Sequence, residues 1–250
     1  MNAYTTLLNN LESLKLFQVK ENLDTYIDLI TNGEKTVVDA LNELMRLETQ
    51  LKEEKATYAC VKVANFPFRK TLDDFDFNFQ PTIKKDKIKD LHTLRFLEKK
   101  ENIMFLGSSG VGKTHLGVSI GMAAAKKRIS TYFINCHDLL LNLKKAHLEN
   151  RLETRLKHYA KYKLLIIDEI GYLPISKEES NMFFQLINKR YEKSSTIITT
   201  NKEFSKWHEV FGEAAIANAI LDRLLHHSTV VKIAGRSYRT KDKIANNSKR

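Results

Sequence analysis

The sequence predicts an α/β protein, a parallel sheet flanked by helices and preceded by a small all-helical domain. Three observations carry that prediction. From residue 101 onward, short apolar runs alternate with segments of helical period, the pattern of βαβ units whose sheet is covered on both faces. A glycine-rich loop stands between the first such run and the first such helix. Near residue 65 charge and periodicity change together: residues 1–65 hold 7 basic and 10 acidic side chains, the remaining 185 hold 34 and 20.

The chain divides accordingly. Residues 1–65 read as three helices. Leu7, Leu11 and Leu14 recur at helical spacing, as do Leu23, Tyr26, Ile27 and Ile30. Thr31-Asn32-Gly33 breaks the second helix, and Thr36 with Asp39 resembles a capping box for a third, which carries Leu41, Leu44, Met45 and Leu51. Residues 66–100 are an ordered linker and the start of the next domain; its phenylalanines need a surface to pack on. Residues 101–240 alternate. Strands are expected at Ile103–Leu106, Thr131–Ile134, Leu164–Ile167, Thr196–Thr200 and Val230–Ala234. Helices are expected at Lys113–Lys127, Leu139 to Tyr162, Glu178–Glu192, Trp207–Phe211 and Ala214–His226. Residues 241–250 read as a basic tail.

Composition excludes several classes. With 42% apolar and 28% charged residues, the chain is neither disordered nor fibrous. No apolar run reaches the ~18–20 residues that span a bilayer, and no secretory leader is evident. Cys60 and Cys136 suit neither a disulfide framework nor a zinc site, so a cytoplasmic location is expected. The net charge of +11 favours an anionic partner.

Gly107-Ser108-Ser109-Gly110-Val111-Gly112-Lys113-Thr114 matches the phosphate-loop pattern. Its glycines let the backbone aim N–H groups at phosphate oxygens, and the following helix offers its N-terminus to the same anion. Lys113 is placed on the terminal phosphates and Thr114 on Mg²⁺. The apolar run ending in Asp168-Glu169 supplies the second half: Asp168 for the Mg²⁺ shell, Glu169 to polarise a water for attack on the γ-phosphate of ATP. If the strand Ser195–Thr200 lies between the phosphate-loop strand and the Asp168 strand, Asn201 lands beside the γ-phosphate. Otherwise Asn201 is a loop or capping residue.

These motifs in this order resemble the AAA+ ATPases, and among them the IstB family, the ATPase helpers of insertion-sequence transposition. The resemblance rests on LESLKLFQVKENLD, FPFRKTLDDFDF, FLGSSGVGKTHL, LLIIDEIGYLP, IITTN, LDRLLH and GRSYR, and so spans nearly the whole chain. It implies an AAA+ phosphate-loop ATPase that hydrolyses ATP with Mg²⁺ and lacks a C-terminal helical lid. It implies that Arg223 reaches a neighbouring subunit's γ-phosphate, the alternative being a pair with acids near Asp222 or Glu213. It places a nucleotide-sensing arginine at Arg236 or Arg239, with Arg239 favoured. The partners implied are duplex DNA, a transposase met through residues 1–65, and further copies of the chain in a ring or filament. The competing readings are a DnaC-type helicase loader, a small-molecule kinase and a non-catalytic DNA scaffold. Three runs, 84–100, 126–163 and 232–250, concentrate positive charge. Lys144, Lys145, Arg151, Arg155 and Lys157, expected on one long helix, are the candidates for phosphate-backbone contacts.

Overall fold

The computed structural model describes residues 2–240, so the basic tail at 241–250 lies outside the described residues. The chain forms two compact units, Met1–Ala59 and Cys60–Arg250.

The first unit is helical: α1 (Ala3–Ser13), α2 (Phe17–Thr31) and most of α3 (Val37–Val63). Asn2 caps α1 by accepting a hydrogen bond from the Tyr4 amide. The Thr36 hydroxyl accepts one from the Asp39 amide at the start of α3, as the capping pattern predicts. Gly33, with φ +74°, supplies the turn between α2 and α3. The buried Glu48 carboxylate accepts from the Gln18 amide at 2.7 Å, a negative group at the positive end of α2. The core is small: Leu11, Val19, Leu23 and Leu44 are buried. Much of the predicted apolar stripe is exposed instead, including Leu7, Leu14, Leu41 and Met45.

The second unit opens with the linker, and two short helices, α4 (Lys85–His92) and α5 (Arg95–Glu98), form within the segment 66–100. Strands β1 (Asn102–Gly107), β2 (Thr131–Asn135), β3 (Leu164–Ile170), β4 (Ser195–Thr200) and β5 (Ser228–Ile233) form one sheet. Its order is β2-β3-β4-β1-β5 and every pairing is parallel. The intervening helices are α6 (Lys113–Lys126), α7 (Cys136–Leu148), α8 (Leu152–Ala160), α9 (Lys177–Arg190), α10 (Trp207–Phe211) and α11 (Ala214–Leu225).

Alternate side chains of β1 to β4 enter separate cores. Met104, Leu165, Ile167 and Ile198 pack beneath α7 to α11. Ile103, Phe105, Leu164, Ile166 and Ile197 pack beneath α4, α6 and the linker phenylalanines. Two covered faces explain why β3 and β4 read as continuous apolar or β-branched runs. After β5 the described residues hold one 3₁₀ turn, Tyr238–Thr240, and no helical lid. Among them no helix is long and apolar enough to cross a membrane.

One predicted element needs correction. The single helix from Leu139 to Tyr162 is two helices, broken at Glu149-Asn150-Arg151. Asn150 adopts φ +54°. Its amide bonds to the His147 carbonyl and the Arg151 amide to that of Ala146, which is the Schellman stop, made usually by Gly and sometimes by Asn. Lys144 and Lys145 therefore lie on α7, Arg151 at the junction, and Arg155 and Lys157 on α8.

Candidate nucleotide site

The C-terminal edge of the sheet carries a cleft of about 840 Å³. Its floor is the loop between β1 and α6. Gly110 and Gly112 hold φ of +78° and +100° there. Neither could be replaced freely. A Cβ at Gly112 would stand 2.5 Å from the Phe75 ring, and one at Gly110 would stand 2.1 Å from the Ser237 hydroxyl. The loop is thus clasped between the linker and the segment after β5, whose Tyr238 amide donates to the Gly110 carbonyl at 2.9 Å. His115, the residue after Thr114, fastens the linker from the other side. Its Nε2 lies 2.8 Å from the Thr71 carbonyl, and its ring meets Phe75 edge-on.

Lys113 is almost fully buried, and its Nζ donates to the Gly107 and Ser108 carbonyls at 2.8 and 2.7 Å. Burial lowers its pKa, while Asp168 and Glu169 oppose that shift. The Thr114 hydroxyl lies 3.0 Å from both carboxylate oxygens of Asp168. Burial raises the Asp168 pKa, and bonds from Thr199 and Thr114 resist the rise. A buried carboxylate held against a hydroxyl at the mouth of a phosphate loop is a sparse, hard-oxygen donor pair. Such a pair fits Mg²⁺, which takes one or two protein oxygens and fills its remaining positions from phosphates and water.

Glu169 has a different environment. The β3–β4 register slips between Ile167 and Ile170, and Glu169 sits in the bulge at φ +63°. A non-glycine residue there costs on the order of 1 kcal/mol or more, and such strain gathers at functional sites. Its amide donates to the Thr199 hydroxyl at 2.9 Å, and that hydroxyl donates to Asp168 Oδ1 at 2.5 Å. Its carboxylate accepts from Asn135 Nδ2 at 2.8 Å. Asn135 also caps α7 through its side-chain oxygen, which fixes the amide that holds Glu169. Sequence reasoning missed Thr199 and Asn135. The signal for Asn135 was a polar residue ending β2, which the register sets opposite Asp168 of β3.

The expected residues distribute as follows. Gly110 to Thr114, Asp168, Glu169 and Arg239 line the cleft, together with Phe66, Pro67, Phe68 and Phe75 from the linker. Gly107, Ser108 and Ser109 complete the loop behind them. Strand β4 does lie between β1 and β3; Asn201, just past it, is exposed and outside the cleft lining. Arg236 is bound through its carbonyl to buried Gln80. Arg223 is not in the cleft. Its Nε donates to Asn188 at 2.9 Å, its Nη1 to the Ala219 carbonyl, and its guanidinium lies 4.7 Å over the Phe184 ring. Lys144, Lys145, Arg151 and Lys157 are exposed and Arg155 half-buried. Arg151 pairs with Glu149 and Lys157 with Glu153.

Residues 9–246 match the family of IstB-like ATP binding proteins. The chain is 60% identical over 241 residues to an IS232 insertion-sequence ATP-binding protein of Bacillus thuringiensis subsp. berliner, covering 96% of both chains. It is 41% identical over 233 residues to the IS21 insertion-sequence ATP-binding protein of Pseudomonas aeruginosa, covering 93% of this chain and 88% of that one. Among solved structures, the DnaC helicase loader aligns with TM-score 0.50 and 26% identity over 59% of this chain and 86% of its own. AMPPCP-bound DnaA from Aquifex aeolicus aligns with TM-score 0.57 and 19% identity over 74% of this chain and 55% of its own.

Proposed function

Because the chain belongs to the family of IstB-like ATP binding proteins, we propose that it is an ATP-hydrolysing helper of insertion-sequence transposition that assembles on duplex DNA. Its fold is that of the AAA+ phosphate-loop proteins. The observation that carries the reading is the pairing of Thr114 with Asp168 directly beside a strained, separately held Glu169. That arrangement keeps a metal-binding carboxylate and a base-competent carboxylate apart on adjacent residues. Thr114 and Asp168 would hold Mg²⁺, which would neutralise phosphate charge there. Lys113 gives up its loop carbonyls for the terminal phosphates, Glu169 orients and deprotonates a water for the γ-phosphorus, and Asn201 reaches that water only by turning in from its exposed position just past β4. The products are ADP and phosphate. The linker phenylalanines take the adenine side of the cleft and Arg239 the phosphate side.

Arg223 serves a neighbouring copy's site in this reading, because it is half-exposed and lies outside its own chain's cleft. Two inactive variants test it. Arg223→Ala and Lys113→Ala chains should each hydrolyse ATP poorly alone and recover activity when mixed, since a mixed interface joins an intact loop to an intact arginine. Mixing that restores nothing places Arg223 in a purely intramolecular role.

DNA is proposed to contact α7 and α8 through Lys144, Lys145, Arg151, Arg155 and Lys157, with sequence-independent phosphate contacts. Each phosphate contact contributes about 0.9 to the slope of log K against log salt. Lys144→Ala/Lys145→Ala should therefore lower that slope by roughly 2, as read by fluorescence anisotropy on duplexes of unrelated sequence. An unchanged slope removes α7 from the DNA face. The first unit is proposed to receive the transposase. Its exposed Leu7, Phe17, Val38 and Leu41 suit a protein partner. A DnaC-type helicase loader shares the ATPase half, but its solved structure is 26% identical to this chain, against 60% for the insertion-sequence relative. The difference favours the transposition reading.

A further inference from the structure

At the sheet edge opposite the phosphate loop, the segments following α9 and α11 bring Glu192, His226 and His227 together. One ligand atom from each lies within 4.8 Å of the other two. Glu192 Oε1 is 3.5 Å from His227 Nε2 and 3.8 Å from His226 Nδ1. Zinc bonds of about 2.0–2.1 Å in a tetrahedron place neighbouring donors roughly 3.4 Å apart. The Glu192 carboxylate therefore stands close to coordination spacing from each imidazole already, with all three donors within 4.8 Å of one another.

The backbone that carries them is fixed. Glu192 is held at φ +56° in the turn after α9. The His227 carbonyl accepts from the Asn102 amide at 2.8 Å, tying it to β1, and His226 is the C-cap of α11. The two imidazoles lie 3.9 Å apart between centroids, and the Tyr191 ring stacks on His226 with its hydroxyl 2.7 Å from Nδ1.

We propose that Glu192, His226 and His227 bind a divalent transition-metal cation of the Zn²⁺ class. Two imidazoles and one carboxylate form the three-ligand set that zinc accepts with a fourth position left for water. Imidazole nitrogen selects such metals over Mg²⁺, so this site is chemically distinct from the oxygen pair Thr114 and Asp168. On His226 Nδ1 the cation takes the place of the Tyr191 hydroxyl. Binding cross-links the chain just past α9 to the chain just past α11, a few residues from the Arg223–Asn188 bond. The metal site itself stands whether or not Arg223 acts on a second subunit.

The test is isothermal titration of the metal-stripped full chain with ZnCl₂ in excess MgCl₂, which keeps oxygen sites filled. One Zn²⁺ per chain is expected. Glu192→Gln and His227→Ala should each weaken it at least tenfold, and His226→Ala/His227→Ala should abolish it. All three side chains are exposed, so these variants should fold and bind nucleotide as the parent does. Co²⁺ in place of Zn²⁺ should give visible ligand-field absorption in the parent and none in the double variant. No Zn²⁺ binding by the parent, or equal binding by the double variant, overturns the proposal.

Discussion

Glu169→Gln is expected to lower the rate of ATP hydrolysis by at least about 10²-fold while leaving ATP bound. A positioned general base contributes roughly 10²–10⁴ to such a step, and the amide removes the basic lone pair while keeping the shape. A glutamine oxygen can still accept the Asn135 bond, so the bulge at φ +63° has no reason to relax. Lys113, Thr114 and Asp168 are untouched, so phosphate and metal contacts persist. Steady-state phosphate release and binding of a fluorescent ATP analogue separate the two effects. Turnover near that of the parent would falsify the assignment of Glu169. Loss of both turnover and binding would instead mean that the substitution had collapsed the loop.

The fold was legible because its strongest signals are local. An apolar strand, GSSGVGKT and a helix of small residues fit one arrangement, and LLIIDE demands a strand buried on both faces. The position of β4 between β1 and β3 was only conditional in the sequence, since strand order depends on crossovers that periodicity does not encode. The break at Asn150 escaped because Lys144, Lys145 and Arg155 continue a helical spacing across it; only the left-handed Asn betrays the stop. Asn135 and Thr199 escaped for another reason. Each is an ordinary strand residue until the parallel register sets it beside Asp168 and Glu169. In the first unit, periodicity located the helices but not the burial. Leu41 and Met45 share a helix with Leu44 yet face outward, because three helices with so small a core cannot cover every apolar position.

Arg190→Leu should destabilise the second unit by about 3 kcal/mol or more. Arg190 is 2% exposed, and its bonds go to carbonyls and a hydroxyl, not to a carboxylate. Its Nη1 donates to the Tyr159, Ala160 and Tyr162 carbonyls and its Nη2 to that of Ser195, while Nε donates to the Thr196 hydroxyl. Burial pushes its pKa down to about 9, so it is still charged at neutral pH. The compensation comes from the unsatisfied carbonyls at the end of α8, the negative pole of that helix. Leucine fills much of the volume but strands these carbonyls, and a buried acceptor left without a donor costs about 1–3 kcal/mol. Lysine should rescue little, because a single ammonium cannot reproduce a planar fork aimed at α8 and β4 together. For a unit of this size each kcal/mol lowers the melting temperature by roughly 2–4 °C, so a fall of about 6 °C or more in circular-dichroism melts is expected for both variants. A fall under about 2 °C would show that the carbonyls find other donors. The consequence reaches the site, because Arg190 grips the first residues of β4 and Thr199 near its other end bonds Asp168 and Glu169. Below its lowered melting temperature, Arg190→Leu should still bind ATP. Loosening the start of β4 should then appear first as slower hydrolysis.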